Sequence, residues 1–307
     1  MRIAVIGTGG VGGYFGGRLA QAGHEVTFVA RGRHLAALRE RGLTIESLRG
    51  NATIGAASAT DDPGSIAPCD IVMFCVKLWD VEPAARQIAP LVAKGGAVIP
   101  FQNGLEAPDV LKRVLGADKV VGGVAYIAAT IREAGVIAHT GTMARLVVGG
   151  FEGGNPHAAV AFRDACVDAS IDAELSADIN RTLWEKFCFL SALSGTTSLV
   201  RQPLGVVRSD PDLRAAFESA AREAWTLGRA RGVPLADDLV AKQLAALDAL
   251  PAEMRSSMQN DLAAGNRLEA PWLSGAVARM SAESKLAAPV SATLYAAVKP
   301  YIDGKPS

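Results

Sequence analysis

Three polar residues in this chain stand where apolar runs end or begin. Lys77 closes "IVMFCVK", Asn103 comes at the end of "VIPFQNG", and Lys186 opens "KFCFLSALSGTTSLV", in which no further charge occurs before Arg201. An ammonium at the mouth of an apolar run has two uses. It can be a solvated residue marking the start of a buried helix, or a cation kept partly dry so that it stabilises negative charge and releases a proton. The stretch around Lys186 does not separate the two. A fourth feature is the run Gly7, Thr8, Gly9, Gly10, Val11, Gly12, which has the spacing G-x-G-x-x-G. In that spacing the first glycine permits a tight turn and the second lets a pyrophosphate approach the backbone. The third lets a helix pack against the preceding strand with its N-terminus facing the phosphates.

The end of the next strand bears on which dinucleotide such a loop would hold. An NAD site places an acid there to accept the ribose hydroxyls, whereas "VTFVARGRH" offers Ala30 followed by Arg31 and Arg33. A guanidinium can grip a 2′-phosphate through two parallel hydrogen bonds, so the expected cofactor is NADP(H), with Arg31 on the phosphate. Lys77 and Asn103, at two strand ends on the glycine-loop edge of the sheet, are expected to touch ligand as well, because open α/β sheets bind at the carboxyl ends of their strands.

The elements that would position these residues follow from hydrophobic pattern. Up to about residue 119, apolar strands without alternation ("RIAVIGTG", "EVTFVA", "CDIVMFCVK", "GAVIPFQNG") interleave with helical patterns. That describes a parallel sheet covered on both faces. From Val120, "VVGGVAYIAAT", "GVIAHTG" and "ARLVVGGF" read as three strands joined by short turns, an antiparallel extension. Beyond Ser176 helices take over: residues 178–200, 211–232, 236–250 and 274–285. The expected fold is α/β, a Rossmann-type doubly wound sheet with antiparallel extension over residues 1–176 and an all-helical domain over residues 177–307.

Composition narrows the function. Thirty-one Lys and Arg balance 31 Asp and Glu, so no global field points to nucleic acid or to an anionic membrane. The longest uncharged run, residues 187–200, has 14 residues, too few to span a bilayer. The N-terminus carries no signal-peptide pattern, and the four cysteines lack C-x-x-C spacing and lie in apolar stretches. Together these suit a cytoplasmic protein with reduced, buried thiols. The four histidines are scattered without ligand spacing, so no metal site is expected. No Y-x-x-x-K occurs, which argues against short-chain dehydrogenase chemistry, and the tail "YIDGKPS" is expected to fray.

Taken in order, "GTGGVGG", "CVKLWDV", "QNGLE", "WEKFCFLSAL" and "RSSMQNDLAAGNRLE" resemble the ketopantoate reductase (2-dehydropantoate 2-reductase) family along nearly the whole chain. The resemblance implies a Rossmann domain joined to a helical domain of the 6-phosphogluconate dehydrogenase C-terminal type, and a small 2-keto acid as the partner. It implies Lys186 as proton donor, Asn103 against nicotinamide and substrate, Ser257 receiving the substrate carboxylate, and Glu269 bordering cofactor and lysine. Ala128 would lie on the cofactor. Leu190 and Ser194, four and eight residues after the lysine, occupy positions where the family commonly has asparagines that bind the ketopantoate hydroxyl and carboxylate. Ser274 likewise replaces an asparagine in the segment "APWLSG". The reaction type therefore transfers better than the substrate: an apolar pocket discriminates weakly, whereas one built to bond a hydroxyl rejects analogues lacking it. Pairing into a homodimer through exposed faces of the C-terminal helices is left open, as is a non-catalytic NADP(H)-binding role.

Overall fold

In the computed structural model, which describes residues 1–55 and 57–305, the alternation of the first half takes definite form. Strand β1 (Arg2–Ile6), helix α1 (Gly10–Gln21), β2 (Glu25–Val29) and α2 (Gly32–Arg41) come first, followed by the antiparallel pair β3 (Leu43–Ser47) and β4 (Ala52–Ile54). Then come β5 (Ala59–Thr60), β6 (Ile71–Phe74), α3 (Val81–Val92), β7 (Ala97–Pro100) and α4 (Glu106–Leu115). Five of these strands form a parallel sheet in the order β5-β2-β1-β6-β7. The order reverses direction at β1, which is where such sheets bind ligands. Every residue of β6 and β7 is buried, as expected for strands covered on both faces. The strands expected to reach Lys77 and Asn103 stop earlier, at Phe74 and Pro100. β6 pairs with β1, which ends at Ile6 opposite Phe74, and β7 pairs with β6, ending at Pro100 opposite Phe74, so the chain beyond has no ladder to continue.

The second half of this unit corrects the sequence reading. Strands β8 (Val121–Glu133) and β9 (Val136–Gly150) pair antiparallel along their lengths, and helix α5 (Pro156–Asp168) and strand β10 (Asp172–Leu175) follow. The segments "GVIAHTG" and "ARLVVGGF" are thus one strand, not two. Residues 140–143 are exposed, which interrupts the apolar pattern without interrupting the strand. The extension is also not purely antiparallel: β9 pairs parallel with β3 at one end and with β10 at the other. Helix α1 packs between the two sheets. A Cβ on Gly16 would lie 2.7 Å from Val5 of the first sheet, and one on Gly17 would lie 2.7 Å from Ile45 of the second. Glycines inside a helix cost about 1 kcal/mol each. Here they let two sheets close on one helix.

The chain divides into two compact units, Met1–Gln102 with Glu106–Ile179, and Asn103–Leu105 with Asn180–Ser307. The second is helical: α6 (Ile179–Val200), α7 (Leu204–Ser209), α8 (Pro211–Ala230), α9 (Leu239–Ala249), α10 (Ser257–Ala264), α11 (Ser274–Glu283) and α12 (Pro289–Val298). Helix α6 is apolar on most sides because it serves two cores. Its first half packs with Leu227, Leu268 and Val277, its second with Leu204, Phe217 and Leu294. The hydroxyls of Thr196 and Thr197, buried in that environment, donate to the carbonyls of Ala192 (2.8 Å) and Leu193 (2.7 Å) one turn back. The tail is ordered where fraying was expected: Tyr301 and Ile302 pack on the core, and Leu268 N donates to Ile302 O at 2.9 Å. Residues 306–307 of that stretch lie outside the described residues.

Helix α12 begins after Ala288, which has no side chain to cap it. Glu223 of α8 caps it instead, accepting from Val290 N (2.8 Å) and Ser291 N (2.7 Å). Two charge-assisted bonds at a helix N-terminus put the loss in Glu223→Ala at about 1–3 kcal/mol, read as a lower urea midpoint with unchanged slope. An unchanged midpoint would show that the cap carries no stability.

Candidate active site

The glycine loop is held as a turn by three donors aimed at one acceptor. Gly7 N (3.3 Å), Thr8 N (3.0 Å) and Thr8 Oγ1 (3.0 Å) all donate to Val29 O at the end of β2. The Thr8 side chain is therefore spent on the scaffold. Gly7 has φ +94, and a Cβ there would sit 2.8 Å from the Cys75 backbone. A Cβ on Gly12 would sit 2.4 Å from Gly7 O and 2.8 Å from the Val5 side chain. Gly9 is different: a Cβ there meets nothing within 4 Å. The N-terminus of α1 has no side-chain cap and no acid in its first turn. Open space beside the middle glycine and uncapped N–H groups are what an incoming pyrophosphate needs, so the loop fits the dinucleotide expected of it. Val11 is partly buried against the core.

Around that loop, Ala30 is buried at the end of β2, and Arg31 and Arg33 are exposed at the start of α2. Neither arginine has an ion-pair or hydrogen-bond partner through its side chain among the described residues. Ala128 is exposed at a bulge of β8, and the carbonyl of its neighbour Ala129 lies against Gly10. Lys77 is exposed, its ammonium 5.7 Å from the centre of the Trp79 ring. Sequence reasoning missed Gln102, whose amide donates to Phe74 O and Val76 O (both 3.0 Å) and so ties the ends of β6 and β7 together. Its place directly before Asn103, just beyond the same buried strand, was the available signal.

The helical unit carries a second constellation. Lys186, on the second turn of α6, donates from Nζ to Asn103 Oδ1 at 3.1 Å, and Asn103 Nδ2 reaches Glu269 Oε2 at 3.4 Å. An ammonium only donates and a carboxylate only accepts, so the amide between them is oriented by its neighbours. Glu269 is buried. Burial lowers the Lys186 pKa to about 8, with the charge of Glu269 acting in the opposite sense. An ammonium of that acidity gives up its proton near neutral pH, which an ordinary surface lysine does not.

Leu190, one turn further along α6, is partly buried against the Trp184–Phe187 cluster. Ser194, a further turn on, is fully buried, and its Oγ has no partner among the described residues. Ser257 is exposed at the first position of α10, where its neighbour Ser256 makes the cap, accepting from Gln259 N at 3.1 Å and bonding Thr197 Oγ1 at 2.8 Å. Ser274 is buried, and its hydroxyl has no partner among the described residues. The cysteines are free thiols, and burial pushes Cys69 up to about 11 and Cys166 and Cys188 up to about 12, which removes them as nucleophiles at neutral pH.

A Rossmann-type unit with an open glycine loop, followed by a helical unit that holds an acidified lysine, defines the two-domain pyridine-nucleotide oxidoreductases. Comparison with known proteins narrows this. Residues 3–153 match the ketopantoate reductase PanE/ApbA family, and residues 178–302 its C-terminal domain. The chain belongs to the ketopantoate reductase family. It is 31% identical to the 2-dehydropantoate 2-reductase of Halobacterium salinarum over 96% of each chain. It is 29% identical to the uncharacterized oxidoreductase YkpB of Bacillus subtilis over 98% of this chain and 99% of that one. A PanE/ApbA family ketopantoate reductase from Ralstonia eutropha superposes with a TM-score of 0.89 at 30% identity, covering 98% of both chains. Among the described residues no helix is long and apolar enough to cross a membrane.

Proposed function

We propose that this protein is an NADPH-dependent reductase that converts a small 2-keto acid to the 2-hydroxy acid, with 2-dehydropantoate as first substrate and pantoate for cytoplasmic pantothenate synthesis as product. The observation that carries the reading is the Lys186–Asn103–Glu269 chain of contacts. The nicotinamide, when bound, supplies the hydride. The protein's own residues do the rest. The N-terminus of α1 and Gly9 receive the pyrophosphate, and Arg31 the 2′-phosphate. Asn103 holds the Lys186 ammonium in one direction. As negative charge develops on the substrate carbonyl oxygen, Nζ stabilises it and then transfers a proton to it, leaving a neutral amine that solvent recharges. Glu269 keeps the lysine protonated beforehand. That Lys186 and Glu269 are both present, and connected, argues against a non-catalytic binding role.

Leu190 favours a second reading, in which the substrate is another branched 2-keto acid. A leucine can neither donate to nor accept from a hydroxyl, so this position gives no preference for the hydroxymethyl group of ketopantoate. Both readings are tested by one assay: loss of nicotinamide absorbance with NADPH and NADH in parallel, against ketopantoate and against 2-oxoisovalerate, which lacks the hydroxyl. NADPH is expected to exceed NADH in kcat/KM, and Arg31→Ala is expected to raise the KM for NADPH about tenfold while leaving NADH unaffected. Equal use of both cofactors would refute the role of Arg31. Preference for 2-oxoisovalerate would select the second substrate reading, and no turnover with any 2-keto acid would sink both.

A further inference from the structure

At the far end of α1 from the glycine loop, the N-terminal unit holds a cavity of about 340 Å³. One wall carries Tyr14, Arg18 and Gln21 of α1 and Arg49 from the turn after β3. The other carries Asp168, the last residue of α5, and Ser170, between α5 and β10. Neither arginine has a carboxylate within ion-pair distance among the described residues. They are held instead by neutral acceptors: Arg18 by Gly50 O and by Gln21 Oε1 at 3.1 Å, Arg49 by Ala144 O at 3.1 Å. These bonds aim each guanidinium while leaving most of its five N–H donors unused.

Tyr14 adds an independent sign. Its side chain is only 3% exposed, packed against His139 with ring centres 4.8 Å apart and with the Arg18 guanidinium 5.2 Å from its ring centre. Yet its hydroxyl has no hydrogen-bond partner among the described residues, and the residue lines this cavity. The hydroxyl is therefore free to bond a molecule that enters the cavity, on a ring that packing already holds in place. His139 records the same imbalance. Burial lowers its pKa, its bond to Met143 O opposes that, and Arg49 and Arg18 lower it further. The facing wall has the opposite character. Asp168 is exposed without an ion-pair partner among the described residues, and the last carbonyls of α5 lie beside it.

The geometry points to a second ligand site here, separate from the dinucleotide loop, for a small metabolite with a carboxylate or phosphate at Arg18, Arg49 and Tyr14 and a hydroxyl or ammonium at Asp168. The site rests on none of the residues assigned to reduction, so it stands whether or not the substrate reading does.

The test is calorimetric titration of the full chain with inorganic phosphate, L-malate and O-phospho-L-serine. Wild type is compared with Arg18→Gln/Arg49→Gln, with Tyr14→Phe and with Arg31→Ala. Saturable binding of malate or phosphoserine is expected, at least tenfold tighter than phosphate. The double variant should weaken it at least tenfold and Tyr14→Phe severalfold, while Arg31→Ala leaves it unchanged. Tighter malate assigns the carboxylate class, and tighter phosphoserine the phosphate class. The site is overturned if none of the probes saturates, if Tyr14→Phe and the double variant bind as wild type does, or if Arg31→Ala abolishes binding, which would place the anion at the cofactor loop. Tyr14→Phe keeps the ring packing and so decides the matter even if the double variant does not fold.

Discussion

Lys186→Ala is expected to lower kcat for 2-keto acid reduction by about 10³-fold, within the range for losing a positioned general acid, and to leave the dissociation constant of NADPH within about twofold. A half-dry ammonium bonded to Asn103 at 3.1 Å, with its pKa near 8, has its acidity matched to neutral pH. The sign of the pH dependence follows. Reduction needs the protonated form, so kcat/KM should be level below about pH 8 and fall about tenfold per unit above it. Oxidation of the hydroxy acid needs the neutral amine and should rise through the same region. Glu269 opposes the burial effect, so in Glu269→Gln the alkaline limb should move to lower pH. A limb that stays in place in Glu269→Gln, or a Lys186→Ala variant with near-normal turnover, would remove Lys186 from the proton-transfer role.

The ambiguity of Lys186 in the sequence shows where pattern reading reaches its limit. Its helix, the glycine loop, and most of the parallel sheet are legible because they depend on local periodicity and on residues that only a tight turn requires. What surrounds the lysine is not local: burial acidifies it, while Asn103, which it bonds, and Glu269, whose charge opposes the burial, lie 83 residues before and 83 after it and meet only through packing. For the same reason Asn103, read as the end of a Rossmann strand, belongs with the helical unit once folded. The missed elements have a different cause. β3 and β10 are short and half-exposed, and each depends on pairing with β9, β3 with β4 besides; β9 reads as two strands because its middle faces solvent. Arg18 and Arg49 carry no signal at all, since they stand 31 positions apart with β2, α2 and β3 between them and look like two ordinary charges in the sequence.

Two alanine substitutions in the glycine loop should separate what the fold requires from what the cofactor requires. At Gly12 the added methyl would lie 2.4 Å from Gly7 O and 2.8 Å from Val5, so α1 must move off β1. Overpacking of this kind costs about 1–3 kcal/mol, and the shift also carries the uncapped N–H groups away from the phosphate position. Gly12→Ala is therefore expected to lose both stability, by urea unfolding, and NADPH affinity, by at least about tenfold in nicotinamide fluorescence titration. Gly9 has φ −87, open to any residue, and no protein atom within 4 Å of a Cβ. Gly9→Ala should thus fold as well as wild type, or better by about 0.4–1 kcal/mol through a less flexible unfolded chain. Its methyl, though, occupies the side from which the pyrophosphate must approach, and NADPH affinity should fall about as far as in Gly12→Ala. Undiminished affinity in Gly9→Ala would mean that the dinucleotide does not approach this loop, and the reductase reading would lose its cofactor site. Affinity lost without stability at Gly9, and both lost at Gly12, is a pattern that general destabilisation cannot produce.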